Sequence, residues 1–178
     1  MESADAIEVC HLADPAATDA LGRRLASQLL AAGDGDGALL LLRGELGAGK
    51  TSLVQGLAAA LGIAEPVTSP TFALAQHYDT DTGSDAGTTA LVHLDLYRLE
   101  PGAAADELFA QEEEDARGLG AVLAVEWPER LSFLPQGAWE VALSHAEEGE
   151  GRLARITPPG FTPPPGLTPP RSAPPAPR

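Results

Sequence analysis

The chain has 178 residues, enough for one domain with a real core and too few for two comfortable ones. Its 11 basic and 26 acidic residues leave a formal charge of −15, which repels phosphate backbones and makes unaided binding of RNA or DNA a poor reading. A lone cysteine, Cys10, excludes an internal disulfide framework, no leader-like start is visible, and no apolar run approaches the ~20 residues that span a bilayer, so a cytoplasmic protein with no membrane association is expected.

From the N-terminus, Ile7 to Leu12 alternates apolar and polar side chains and predicts a short strand. Asp14-Pro15 reads as an N-cap followed by proline at the first helical position. Leu21, Leu25, Ala26 and Leu29 then give the following helix an apolar stripe, and Gly33 ends it. Ala38 to Leu42 is a continuous apolar run, as in a strand buried on both faces. A second helix spans about Gly49 to Leu61, with Leu53, Leu57 and Leu61 on one face. Phe72 to Tyr78 and Ala90 to Asp95 read as strands around a Gly/Asp/Thr-rich turn, Asp79 to Thr89. Asp106 to Ala116 is an acidic helix in which Glu112 to Asp115 reads as a solvated face, or more sharply as a docking surface for a basic partner. Ala121 to Glu126 is another buried strand. Trp139 to Ser144 and Leu153 to Ile156 pair as an antiparallel hairpin over the loop Glu147 to Gly151. Residues 157–178 hold ten of the 16 prolines and read as a disordered, partly polyproline tail, leaving 1–156 as the domain.

The strongest motif is Gly44-Glu45-Leu46-Gly47-Ala48-Gly49-Lys50-Thr51, which fits G-x-x-x-x-G-K-[ST] without a mismatch. It follows a predicted buried strand and opens a predicted amphipathic helix, where such a loop must sit. Glycines there let backbone amides turn inward and ring a β-phosphate, and the helix N-terminus adds partial positive charge. Lys50 can reach the β- and γ-phosphates, and the Thr51 hydroxyl can bind Mg²⁺. Ten of the 11 basic residues are Arg, and the single Lys is the one this loop requires. The fold class that follows is α/β: a P-loop NTPase-like mixed sheet, parallel at its centre and antiparallel at its margins, flanked by helices.

A Mg²⁺–nucleotide site needs an acid at the end of a neighbouring strand. Asp95 and Glu126 both end apolar runs, so either holds the metal, directly or through water, and one of them orients the attacking water. Ser69-Pro70-Thr71-Phe72 lies after the second helix, where many nucleotide hydrolases keep a segment that senses the γ-phosphate. Thr71 there contacts that phosphate or the metal, or the stretch is an ordinary turn into a strand. The chain has no Asn, so an Asn-Lys-x-Asp guanine reader is excluded and adenine nucleotide is favoured. Residues 79–90 fail as a Ca²⁺ loop because Ser84 and Ala90 stand where Gly and Glu are required. The histidines, at 11, 77, 93 and 145, lack metal-ligand spacing.

Together, residues 44–51, Ser-Pro-Thr-Phe (69–72), His-Leu-Asp-Leu-Tyr-Arg-Leu (93–99) and Val-Glu-Trp-Pro-Glu (125–129) resemble the TsaE (YjeE) family, small bacterial ATPases needed to make N6-threonylcarbamoyladenosine beside the anticodon of certain tRNAs. The resemblance covers about residues 7–160, including Gly-Arg-Leu-Ala-Arg-Ile at 151–156. It implies that Glu45, Leu46, Gly47, Ala48, Gly49, Lys50 and Thr51, with Ser52 after them, bind the phosphates of ATP. Thr51 and Glu126 would form the Mg²⁺ site with Asp95 beside it, and Lys50, Glu126 and Thr71 would carry hydrolysis to ADP and phosphate. Residues 69–72 would be the switch segment, Trp127 would lie close to the nucleotide, and Arg152 and the turn at Asp14 and Pro15 would flank the adenine. Without the resemblance, Trp127 reads as a core aromatic. The family works in a complex with TsaD, which carries the transferase site, and with TsaB, so tRNA would be met only indirectly. Two features depart from the family: Asp106 to Gly120 is longer and more acidic than its pattern, and the proline tail is not part of it. A small-molecule kinase using ATP, and a nucleotide-dependent binding module without turnover, remain as alternatives.

Overall fold

The computed structural model describes residues 7–33, 35–80, 89–146 and 150–161. Most of the predicted 79–89 turn, most of the 147–151 loop and the tail beyond residue 161 lie outside the described residues. Seven strands form one sheet: β1 (Glu8–Leu12), β2 (Ala38–Arg43), β3 (Ala75–Asp79), β4 (Thr89–Asp95), β5 (Val122–Glu126), β6 (Trp139–His145) and β7 (Arg152–Thr157). Their spatial order is β1-β7-β6-β2-β5-β4-β3. The pairs β6–β2, β2–β5 and β5–β4 are parallel, whereas β1–β7, β7–β6 and β4–β3 are antiparallel. The expected parallel centre with antiparallel margins is what the chain builds.

Helix α1 (Pro15–Ala32) starts as predicted, with the Asp14 carboxylate accepting the Ala17 amide at 2.8 Å and proline in the first turn. Helix α2 (Lys50–Ala60) follows β2, and α3 (Ala103–Leu119) precedes β5. One face of the sheet presents Leu40, Leu42, Leu91, Val122 and Ala124 to a core shared with Leu25 and Leu29 of α1 and Leu53 and Leu57 of α2. The opposite face presents Leu41, Val92, Leu94, Leu123 and Val125 to Phe109 and Ala116 of α3. The period of two along each strand separates these sets, and burial on both faces explains the unbroken apolar runs. Among the described residues, no helix is long and apolar enough to cross a membrane.

Helices α1 and α2 meet backbone to backbone through Gly22 and Gly56. A Cβ at Gly22 would run into the Leu53 carbonyl, and one at Gly56 into the Asp19 carbonyl. Neither obstacle is a flexible side-chain end, so the helices must separate to admit a methyl group. Gly22→Ala is therefore expected to destabilise the domain by about 3 kcal/mol, which lowers a thermal midpoint by roughly 6–12 °C. An unchanged melting curve would show that the two backbones do not approach this closely.

Two predicted elements shift. The strand expected from Phe72 begins only at Ala75, because the Leu74 amide turns back to the Pro70 carbonyl at 2.6 Å and Leu74 takes φ 69°. Phe72 is left 84% exposed, with the Arg98 guanidinium 3.9 Å from its ring centroid. Helix α3 runs from Ala103 to Leu119, beyond the expected 106–116, and ends at Gly120 in the left-handed conformation. Its acidic run is not wholly a solvated face. Glu112 is buried and lies 2.7 Å from His77 of the edge strand β3.

Candidate nucleotide site

The site lies where the parallel strands β2, β4 and β5 end. After β2 the chain turns through residues 44–49 into the first turn of α2. Gly49 is the N-cap of α2 with φ 105°, a conformation that strains any residue bearing a Cβ. Gly44, at φ 143°, packs against the Leu143 carbonyl of β6 and leaves no room for a side chain. These two glycines are fixed by backbone geometry whether or not a ligand is present.

A cavity of about 420 Å³ opens above this loop. The cradle contributes Leu46, Gly47, Gly49, Lys50, Thr51 and Ser52 to its wall; Ser69 and Thr71 face it from the segment before β3. Asp95 and Tyr97 come from the end of β4, and Glu126 and Trp127 from the end of β5. The parallel β4–β5 register pairs Asp95 with Glu126, which sets the two carboxylates side by side at the mouth of the sheet.

Lys50 is 5% exposed. Its Nζ donates to the carbonyls of Gly44 (2.6 Å) and Glu45 (3.0 Å) and sits 4.3 Å from the centroid of the Trp127 ring. Burial lowers its pKa from 10.5, opposed by the negative charges of Glu126, Glu129 and Asp95. The Thr51 hydroxyl donates to Oε1 of Glu126 at 3.0 Å, and Nε2 of His93 lies 2.9 Å from the same oxygen. Oδ2 of Asp95 accepts from Ser69 (3.0 Å) and Thr71 (2.8 Å), while Oδ1 accepts the Tyr97 amide at 2.9 Å. Residues 69–72 are thus tied to the acid at the end of β4.

The remaining predicted residues fall around this centre. Ala48 is buried in the core, and the Glu45 backbone serves Lys50. Arg152 donates to the Gly47 carbonyl at 3.3 Å and so braces the loop. Asp14 caps α1. Trp127 takes the left-handed φ of 60°, its amide donating to Leu42 O at 3.3 Å, and its ring packs 4.9 Å from that of Tyr97. It belongs to the α3-side core and to the cavity wall at once. Such a backbone in a bulky residue is costly and concentrates at binding sites. Sequence reasoning missed Tyr97 as a wall residue; the signal was an Asp two positions earlier, whose carboxylate can accept a backbone amide at that spacing.

The family profile for threonylcarbamoyl adenosine biosynthesis protein TsaE matches residues 12–154. The chain belongs to the TsaE family. A TsaE protein from Nostoc sp. is 40% identical over 154 residues, covering 86% of this chain and 88% of the relative. Those from Synechocystis sp. and Mycobacterium bovis are 46% and 40% identical, covering 70% and 75% of this chain and 72% and 77% of the relatives. All three are described as tRNA threonylcarbamoyladenosine biosynthesis proteins. The crystal structure of Bacillus subtilis YdiB superposes with a TM-score of 0.57 at 27% identity, covering 87% of each chain. The TsaE match therefore takes in every element from β1's last residue to the middle of β7, and the whole cavity wall lies within it.

Proposed function

We propose that this TsaE-family protein binds Mg²⁺–ATP in the cradle and hydrolyses it to ADP and phosphate, in a complex with TsaD and TsaB that modifies tRNA to threonylcarbamoyladenosine next to the anticodon. One observation carries the reading: the loop lysine, the Thr51 hydroxyl, two strand-end carboxylates and the Ser69/Thr71 hydroxyls converge on one cavity. The glycine loop and the start of α2 supply amides and dipole to a β-phosphate. Lys50 already holds its ammonium on loop carbonyls at the cavity wall, so a phosphate oxygen has a charge to meet without drawing one out of water.

Thr51, Asp95 and Glu126 are all hard oxygen donors, the set that Mg²⁺ takes together with phosphate oxygens. Among the described residues no group of three or more His, Cys, Asp or Glu could hold a metal by itself, which suits an ion that arrives with its nucleotide. When bound, Mg²⁺ supplies neutralisation of charge on the phosphates. Glu126, fixed at one oxygen by two neighbours, orients water for attack; Thr71, hydrogen-bonded to Asp95, reports on the terminal phosphate. The net acidity of −15 fits a subunit that docks on protein and meets tRNA only through its partners.

Phosphate release measured on the protein alone and with TsaD and TsaB tests the reading. Slow release alone and marked stimulation by the pair are expected. Phosphate transferred to a metabolite in place of water would favour the small-molecule kinase, and ATP binding without turnover in the full complex would favour a binding module.

A further inference from the structure

His93 is fully buried, at 0% exposure, one residue pair below the carboxylates of the site. It lies on β4 two positions before Asp95, so both side chains emerge from the same face. In the parallel register its partner on β5 is Ala124, two positions before Glu126. The small alanine leaves space for an imidazole between the strands, in a layer otherwise made of Leu40, Leu42, Leu91 and Val122. A polar ring in such a layer is tolerated only where it makes a hydrogen bond. Among the described residues, the one side-chain hydrogen bond of its ring joins Nε2 and Oε1 of Glu126 at 2.9 Å, and Nδ1 has no partner.

We propose that His93, donating from Nε2, is the positioning residue that fixes the Glu126 carboxylate for the proposed hydrolysis. The inference rests on the ATPase reading above. The direction of that hydrogen bond follows from the surroundings. A carboxylate oxygen that already accepts the Thr51 hydroxyl has only acceptor capacity left to offer, so Nε2 must donate. Both described hydrogen bonds of Glu126's side chain therefore fall on Oε1, which leaves Oε2 to face the cavity chemistry. Thr51 is itself part of the cavity wall and shared with ligand, whereas His93 lies beneath the carboxylate and is not.

The test compares His93→Gln with His93→Asn. The Gln side-chain amide nitrogen reaches the position of Nε2 and keeps a donor to Glu126; the Asn amide reaches only the position of Nδ1. Turnover in the presence of TsaD and TsaB is expected to stay within about 3-fold for Gln and to fall about 10–100-fold for Asn, with the dissociation constant for a fluorescent ADP analogue measured without Mg²⁺ unchanged in both. Equal turnover in the two variants, or a loss confined to nucleotide affinity, overturns the proposal. Long-range ¹H–¹⁵N correlation of the imidazole in the wild-type protein gives a readout independent of turnover and of whether the variants fold. A hydrogen on Nε2 is expected, and a bare Nε2 overturns the proposal even if the wild type hydrolyses ATP. A wild type that releases no phosphate but shows a hydrogen on Nε2 would sink the ATPase reading while leaving the Glu126 contact intact.

Discussion

Replacing Lys50 with alanine is expected to lower partner-stimulated phosphate release by at least 100-fold while the domain stays folded. The ammonium is the only lysine charge in the chain and lies at the cavity wall, 2.6 and 3.0 Å from two loop carbonyls. Its effect on folding runs the other way. Burial holds its pKa below 10.5 in the folded chain, so the folded state disfavours the charged form relative to the unfolded state. Near neutral pH both states are charged and the full penalty is present. As pH rises through the lowered folded value towards 10.5, the folded chain releases its proton first and the penalty fades. The parent should therefore gain stability relative to Lys50→Met as the pH rises towards 10.5. Thermal melts of the two proteins at pH 7 and pH 10 check the sign. An Arg at this position should not rescue turnover, since the slot between the loop carbonyls and the Trp127 ring suits a compact ammonium.

Glu126→Gln carries the second large effect. The amide keeps an acceptor oxygen for both the Thr51 hydroxyl and His93, so geometry and burial are preserved and only the negative charge is removed. Turnover is expected to fall about 100-fold, with weaker Mg²⁺-dependent nucleotide binding and a melting temperature close to the parent's. Lys50 would lose the charge that most strongly supports its protonation, so its pKa should drop further in this variant. Phosphate release and a magnesium titration of nucleotide affinity measure both consequences. Full turnover in Glu126→Gln would remove the carboxylate from the proposed chemistry.

Much of this architecture is legible from local chemistry. Asp14-Pro15 fixes the start of α1 because a short carboxylate and a pre-set φ act within one turn. The glycine loop is legible because residues 44 and 49 need conformations or clearances that only glycine supplies. The paired acids are legible as the last residues of apolar runs, and the sheet then sets Asp95 opposite Glu126. What the pattern hides are contacts made at long range. Phe72 looks like the first residue of a strand, but Ser69 and Thr71 are drawn to Asp95, and the chain must turn at Leu74 before pairing can begin. Glu112 sits in an acidic run like its neighbours, and only the arrival of His77 from β3 sets it apart. His93 reads as one of four scattered histidines until the register of β4 and β5 places it beneath Glu126. Trp127 reads as a core aromatic, and only the folded chain sets its ring 4.3 Å from the Lys50 ammonium on a left-handed backbone.

Calorimetric titration of Mg²⁺–ATP into the folded protein tests the central claim most directly. Saturable association with one nucleotide per chain, abolished in Lys50→Ala, is the predicted result. No heat of association with the intact wild type, across temperatures that rule out a zero-enthalpy coincidence, would contradict it.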